Sequence, residues 1–386
     1  MKNHERFIAE RIGRIPPSGI RKFFGFAEKM PGVISLCIGE PDFPTPPPIA
    51  KAGFDAVYDK TIGYTATSGL IELCEKLSVH LENLYGVSYD PGDEVIITAG
   101  VSEAVKCVFT AICDIGDEII IPEPCFVSYE PEVLLAGGIP VPIKCLAENN
   151  FEPLAAQIRE KITEKTKAIF LGYPNNPTGA VLTRENALAI AKVAEENDLL
   201  IVSDEIYDRL VYGVEHICMS ALPGMRDRTV LLGGFSKDYA MPGWRVGYMC
   251  ANSELMAAFS KVHQYVIMAA PTISQYAAIA ALDIGEPFVR EMHEKYDRRR
   301  KFLVGSLNEM GLECFEPKGA FYAFPNVTST GMNGDEFAAK LLTEQQVAVV
   351  PGSGFGVGGL DHVRIAYCKS YEEIEIALEK MRKFMN

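Results

Sequence analysis

The chain has 386 residues, with 37 Lys and Arg against 51 Asp and Glu, and so a formal net charge of −14. Its 48% hydrophobic and 23% charged residues can fill a core, unlike the composition of a disordered chain. The acid excess argues against a nucleic-acid partner, which selects clustered Lys and Arg, and no apolar run approaches the roughly 20 residues that cross a bilayer.

The first segment, MKNHERFIAERIGRIPPSGI, is charged and lacks the apolar stretch of a secretory signal. PDFPTPPP (41–48) is expected to be non-helical, because Pro lacks an N–H and restricts the residue before it. It reads as a linker behind an N-terminal arm. Leu70, Leu73, Leu77, Leu81 and Leu84 then recur at helical spacing. Short apolar runs follow at EVIIT (94–98), EIII (118–121), AIFLGY (168–173), LLIVS (199–203) and TVLLGG (229–234), with helix-length segments between them. That pattern predicts an α/β fold with a mostly parallel sheet buried by helices on both faces.

Beyond about residue 271 a long helix is expected to 308, including the charged run EKYDRRRK. Mixed strands follow at GAFYAFP (319–325), VAVVP (347–351) and HVRIAY (362–367). A capping box, Ser370-x-x-Glu373, opens a last helix with Ile374, Leu378, Met381 and Met385 on one face. The expected division is an N-terminal arm (1–44) completing a smaller α+β domain (276–386), beside a large α/β domain (45–275). Ten cysteines form no CxxC pair and read as small core residues in a reducing, cytoplasmic setting. Six scattered histidines show no metal-ligand spacing, so no metal is expected.

Open α/β sheets bind ligands beyond the carboxyl ends of their strands. After 94–98 comes Gly100-Val101-Ser102 at a helix start. After 168–173 comes PNNPTG with Asn176, and after 199–203 come Asp204 and Tyr207. Lys237 and Arg245 follow 229–234. Each has an ordinary reading: Asn176 as a turn residue, Asp204 as a helix cap, Lys237 as a solvated surface lysine, Arg245 as half of any ion pair. Together they suit one ligand. A desolvated lysine condenses with an aldehyde, a helix start plus an arginine holds a phosphate, and a carboxylate pairs with a protonated ring nitrogen. Aldehyde, phosphate and pyridine nitrogen describe pyridoxal 5′-phosphate.

The segment GFSKDYAMPGWRVG (234–247) resembles the lysine signature of class I/II aminotransferases, the fold type I pyridoxal-phosphate enzymes of the aspartate and aromatic aminotransferase kind. The resemblance runs from ISLCIGEPDF (34–43) through YTATSGLIEL (64–73), TAGVSEAV, YPNNPTG and SDEIY to PGSGFG and HVRIAY. It implies that Lys237 carries the cofactor as an aldimine and moves a proton at the substrate Cα. It implies Asp204 at the ring nitrogen, Tyr207 and Asn176 at the ring oxygen, and Phe126 stacked on the ring. Val101, Ser102 and Arg245 would hold the phosphate, with Tyr64 reaching it from the neighbouring subunit of a homodimer. Arg364 would take the substrate carboxylate beside Gly39 and Asn176. Gly234 departs from the pattern, since many relatives place Ser there. GFGVGG (354–359) fits GxGxxG but leads into a strand near the chain end, so it is not a dinucleotide fingerprint.

The resemblance implies amino-group transfer from an L-amino acid to a 2-oxo acid, 2-oxoglutarate by family expectation, in a ping-pong cycle. Two alternatives remain: a β-elimination (C–S) lyase of the same fold, and a non-catalytic cofactor-binding regulator. The donor stays open among aspartate, aromatic and neutral amino acids. Ile15-Pro16-Pro17-Ser18-Gly19-Ile20 is expected to lie over the site and help select side chains.

Overall fold

The computed structural model describes residues 4–15, 30–60 and 62–385. Of the arm segment expected over the site, only Ile15 falls among them; residues 16–20 lie outside the described residues.

A seven-stranded sheet forms the centre. Its strands are β2 (Val95–Thr98), β3 (Glu118–Glu123), β4 (Ile139–Lys144), β5 (Thr166–Gly172), β6 (Leu200–Asp204), β7 (Thr229–Gly234) and β8 (Gly247–Cys250). They lie in the order β2-β8-β7-β6-β5-β3-β4, and only β8 runs antiparallel to its neighbours. Alternate residues feed opposite faces. Ala168 and Phe170 pack with Ile96, Val108, Phe109 and Phe259 on one side, while Ile169 and Leu171 pack with Ile158, Ile190 and Ala194 on the other. Two-sided burial explains why these strands read as unbroken apolar runs.

The leucine-spaced helix runs from Ile71 to Tyr85 and buries Leu73, Leu77 and Leu81. A second core gathers Tyr296, Leu303, Phe321, Phe337, Ile365 and Leu378. Over it lies an antiparallel sheet of β9 (Tyr322–Ala323), β12 (Val363–Ala366) and β11 (Val350–Pro351). Arm residues Ile34–Ser35 (β1) pair in parallel with Val347–Ala348 (β10). The last helix, Tyr371–Met385, opens on the expected box: Glu373 N–H donates to Ser370 Oγ and Ser370 N–H to Glu373 Oε2, each at 3.2 Å.

Three expectations need correction. PDFPTPPP is not wholly non-helical, because a helix runs Pro47–Asp59 with prolines in its first turn. The first amides of a helix have no intrahelical partner, so proline loses nothing there. The helix expected over 271–308 is two, Thr272–Ile284 and Glu286–Glu309, divided at Gly285 with Pro287 in the first turn of the second. Finally, GAFYAFP contributes only Tyr322–Ala323 to the sheet; Ala320, at φ 54°, turns the chain before it.

Candidate active site

The strand ends converge on one cavity of about 410 Å³. Lys237, Asp204, Tyr207, Val101, Ser102, Phe126, Asn176, Arg245, Gly39 and Arg364 all line it. Ser236 lines it too, whereas at Gly234 a side chain would press on Gly247 Cα and Ile206. Tyr64 does not line it; its side chain is 87% exposed.

Lys237 follows the end of β7, and its Nζ donates to Gly39 O at 2.7 Å. Burial, helped by the nearby guanidiniums of Arg364 and Arg245, brings its ammonium down to about 8. Asp204 ends β6 and is buried. It accepts from Tyr129 Oη at 2.8 Å and from the Ile206 amide at 3.2 Å. Burial outweighs those donors and pushes its carboxyl up to about 6.

The helix Val101–Ile112 starts at Gly100, whose φ of +83° turns the chain out of β2. Arg245 reaches over this turn, donating to Ala99 O at 3.2 Å and Pro242 O at 2.9 Å. A Cβ at Gly100 would stand 2.7 Å from Arg245 Nη2 and so push the guanidinium aside, on a backbone (φ 83°, ψ 168°) that suits glycine. The first turn of the helix thus offers free amides beside a guanidinium.

Arg364, in β12, is buried between the rings of Tyr322 and Phe355, 4.6 and 4.9 Å away. Its Nη1 donates to Asn176 Oδ1 at 2.9 Å and its Nη2 to Cys37 O, while its buried Nε has no partner among the described residues. Tyr207 shares a 2.8 Å hydrogen bond with Tyr322, whose hydroxyl fills the space a side chain at Gly39 would need.

These groups leave three demands open. A buried carboxyl hydrogen-bonds no cation among the described residues, a desolvated amine faces a cavity, and a helix start with a guanidinium faces the same space. A protonated ring nitrogen, a carbonyl carbon and a phosphate meet them in turn, so the donor set fits pyridoxal 5′-phosphate. Sequence reasoning missed Tyr129 and Tyr322. Tyr129 stands three residues past Phe126 at a helix start, and Tyr322 lies inside a run read only as strand.

Residues 31–381 match the family model described as Aminotransferase class I and II. The aspartate aminotransferase of Pyrococcus abyssi (strain GE5 / Orsay) is 41% identical over 381 residues, 98% of each chain. Aromatic-amino-acid aminotransferase 2 of Thermococcus litoralis is 39% identical over 381 residues, again 98% of each. Among solved structures, the aspartate aminotransferase from Thermus thermophilus with maleate superposes with a TM-score of 0.93 at 36% identity, covering 97% of this chain and 99% of that one.

Proposed function

The chain belongs to the class I and II aminotransferase family, and from that premise we propose how its own residues divide the work of moving an amino group from an L-amino acid to a 2-oxo acid. Pyridoxal 5′-phosphate is the cofactor of this family; when bound it supplies an aldehyde that condenses with amines and a ring that accepts electron density from the substrate Cα. Lys237 holds the aldehyde end and, once its amine is free, carries the proton to and from the substrate Cα. Burial suits it to that task by keeping a neutral amine accessible near physiological pH. Asp204 would hold the ring nitrogen protonated, with Tyr129 orienting its carboxylate. Tyr207 and Asn176 would hydrogen-bond the ring oxygen, and Phe126 would supply an aromatic surface for the ring. The amides of Val101 and Ser102, the Ser102 hydroxyl and Arg245 hold the phosphate. Arg364, whose Nε has no partner among the described residues, takes the substrate carboxylate next to Asn176 and the open edge of Gly39.

The observation that carries this reading is the placement of Lys237, Asp204 and Arg364 on the walls of one cavity. Borohydride reduction of the purified enzyme followed by peptide mapping tests it. A label on Lys237 supports the assignment; a label elsewhere, or none, overturns it.

The division into an arm (1–44), a large domain (45–275) and a small domain (276–386) is part of the proposal, supported by the two cores and the pairing of Ile34–Ser35 with Val347–Ala348. The working unit is a homodimer in which Tyr64 completes the neighbouring site. Support comes from its exposure outside its own cavity and from exposed Phe54, Tyr58 and Tyr265. We place the enzyme in the cytoplasm on ten buried, unpaired thiols. Among the described residues no helix is long and apolar enough to cross a membrane. The acceptor is 2-oxoglutarate in this reading. Relatives named for aspartate and for aromatic amino acids match equally well, so a half-reaction screen over single amino acids assigns the donor.

A further inference from the structure

Behind the phosphate end of the cavity lies a buried polar trio with no part in the chemistry proposed for the cavity: Glu103, Cys107 and His263. The ring of His263 is 0% exposed. Its Nδ1 lies 2.7 Å from Glu103 Oε1 and its Nε2 lies 2.9 Å from Thr67 O. Glu103 Oε1 also accepts from Cys107 Sγ at 3.2 Å, and Oε2 accepts the Ala99 amide at 2.8 Å. Ala99 is therefore held from two sides, by Glu103 at its N–H and by Arg245 at its carbonyl.

The spacing is that of a shared proton rather than a metal. Two ligands about 2.0–2.1 Å from a tetrahedral ion stand roughly 3.3 Å apart, well beyond the His263–Glu103 separation. Both partners of the ring are acceptors, a carboxylate and a carbonyl. Satisfying both contacts takes one proton more than a neutral imidazole and an ionised carboxylate carry together, so the pair is neutral as a unit.

That neutrality bears on the helix start. Glu103 lies in the first turn of Val101–Ile112 and folds back to cap Ala99. A carboxylate stabilises a helix N-terminus, yet its charge opposes an anion bound at the same turn. We propose that His263 is a positioning residue for the cofactor phosphate: it fixes the Glu103 carboxylate on Ala99 and cancels its charge, leaving the amides of residues 101–102 and Arg245 free to attract an anion. This inference rests on the proposed phosphate site.

The test compares pyridoxal 5′-phosphate with pyridoxal, which lacks only the phosphate, by equilibrium dialysis against full-length protein stripped of cofactor. His263→Gln leaves Glu103 charged and unpaired. It weakens binding of the phosphorylated ligand by about tenfold and that of pyridoxal by no more than about twofold. Adding Glu103→Gln removes the charge and restores the preference. Equal loss for both ligands, or an unchanged ratio, assigns His263 to packing alone and overturns the proposal. Should His263→Gln fail to fold, Glu103→Gln alone decides. The pair stays neutral with either residue, so the preference is kept, and a lost preference overturns the proposal. A wild-type protein that binds both ligands alike overturns the phosphate site itself, an outcome distinct from the others.

Discussion

Arg364 Nη1 donates to Asn176 Oδ1 at 2.9 Å while the buried Nε of the same guanidinium has no partner among the described residues. Asn176 and Cys37 O thus aim the fork, and its open edge is left for a planar, two-oxygen ligand. Arg364→Lys keeps the charge and loses the fork. Transfer from any amino acid, read as kcat/KM of the half-reaction, falls by about a hundredfold. Cofactor affinity stays close to wild type, because Arg364 bonds to Asn176 and Cys37 and to nothing at the helix start of residues 100–102.

Lys237 imposes a pH dependence on the protein without cofactor. Its ammonium, brought down to about 8 in the fold, has the ordinary value of 10.5 once unfolded. Between those values the unfolded chain binds more protons than the folded one, so stability rises as pH increases through that window. Apoprotein thermal midpoints measured from pH 7 to 10.5 show this rise relative to Lys237→Ala, whose curve is flatter and starts higher. A parallel pair of curves excludes a buried amine at this position.

Asp204 works in the opposite direction. Its carboxyl, pushed up to about 6 by burial, has the ordinary value of 3.8 when exposed. Between these values the folded state binds more protons, so the group costs stability as pH rises through the window and the full cost persists above it. Asp204→Asn therefore stabilises the apoprotein at pH 7 by on the order of 3 kcal/mol and has little effect below pH 4. Turnover falls by about a thousandfold in the same variant, since a neutral amide lacks the charge that holds a ring nitrogen protonated. Urea unfolding at the two pH values, with a half-reaction assay beside it, measures both effects.

Much of this site is legible in the sequence because strands buried on both faces must be continuously apolar, which marks their carboxyl ends clearly. Asp204, Asn176 and Lys237 stand at or just past those ends, where a ligand of an open sheet is expected. Strand β8, which alone runs antiparallel, escapes sequence reasoning, since GYMC is short and directly follows the lysine segment. Pro47 and Pro48 mislead because proline is harmful inside a helix and harmless in its first turn. Tyr129 on Asp204, Tyr322 on Tyr207 and His263 on Glu103 are tertiary contacts whose partners lie 75, 115 and 160 residues apart, a separation at which local pattern carries no information.

The dimer is tested by mixing two damaged proteins. Lys237→Ala removes the amine from its own site, and Tyr64→Ala removes the side chain proposed to reach its neighbour. In a mixed dimer the site with an intact lysine also receives an intact tyrosine. Unfolding and refolding the two together should restore about a quarter of wild-type activity, given random pairing and one working site in each hybrid. If Tyr64 served only its own chain, no site in the mixture would be whole and activity would stay at the level of the separate proteins.

Gly100 ties backbone conformation to anion binding more closely than any other glycine of the cavity turn. Its φ of +83° with ψ of 168° lies in a region open almost only to glycine and costs an L-residue about 1–3 kcal/mol, and the added methyl would meet the Arg245 guanidinium at 2.7 Å. Arg245 itself sits at φ 51°, and its exposed guanidinium gives up its bonds to Ala99 O and Pro242 O when it moves away from the methyl. Gly100→Ala therefore displaces the guanidinium from the helix start. Affinity for pyridoxal 5′-phosphate drops by about tenfold or more, while pyridoxal, with no phosphate to lose, binds nearly as before. Titration of the stripped protein with both ligands reads this directly. Arg245→Gln in the same assay should match Gly100→Ala, and a variant pair that diverges would show that the glycine serves the turn alone.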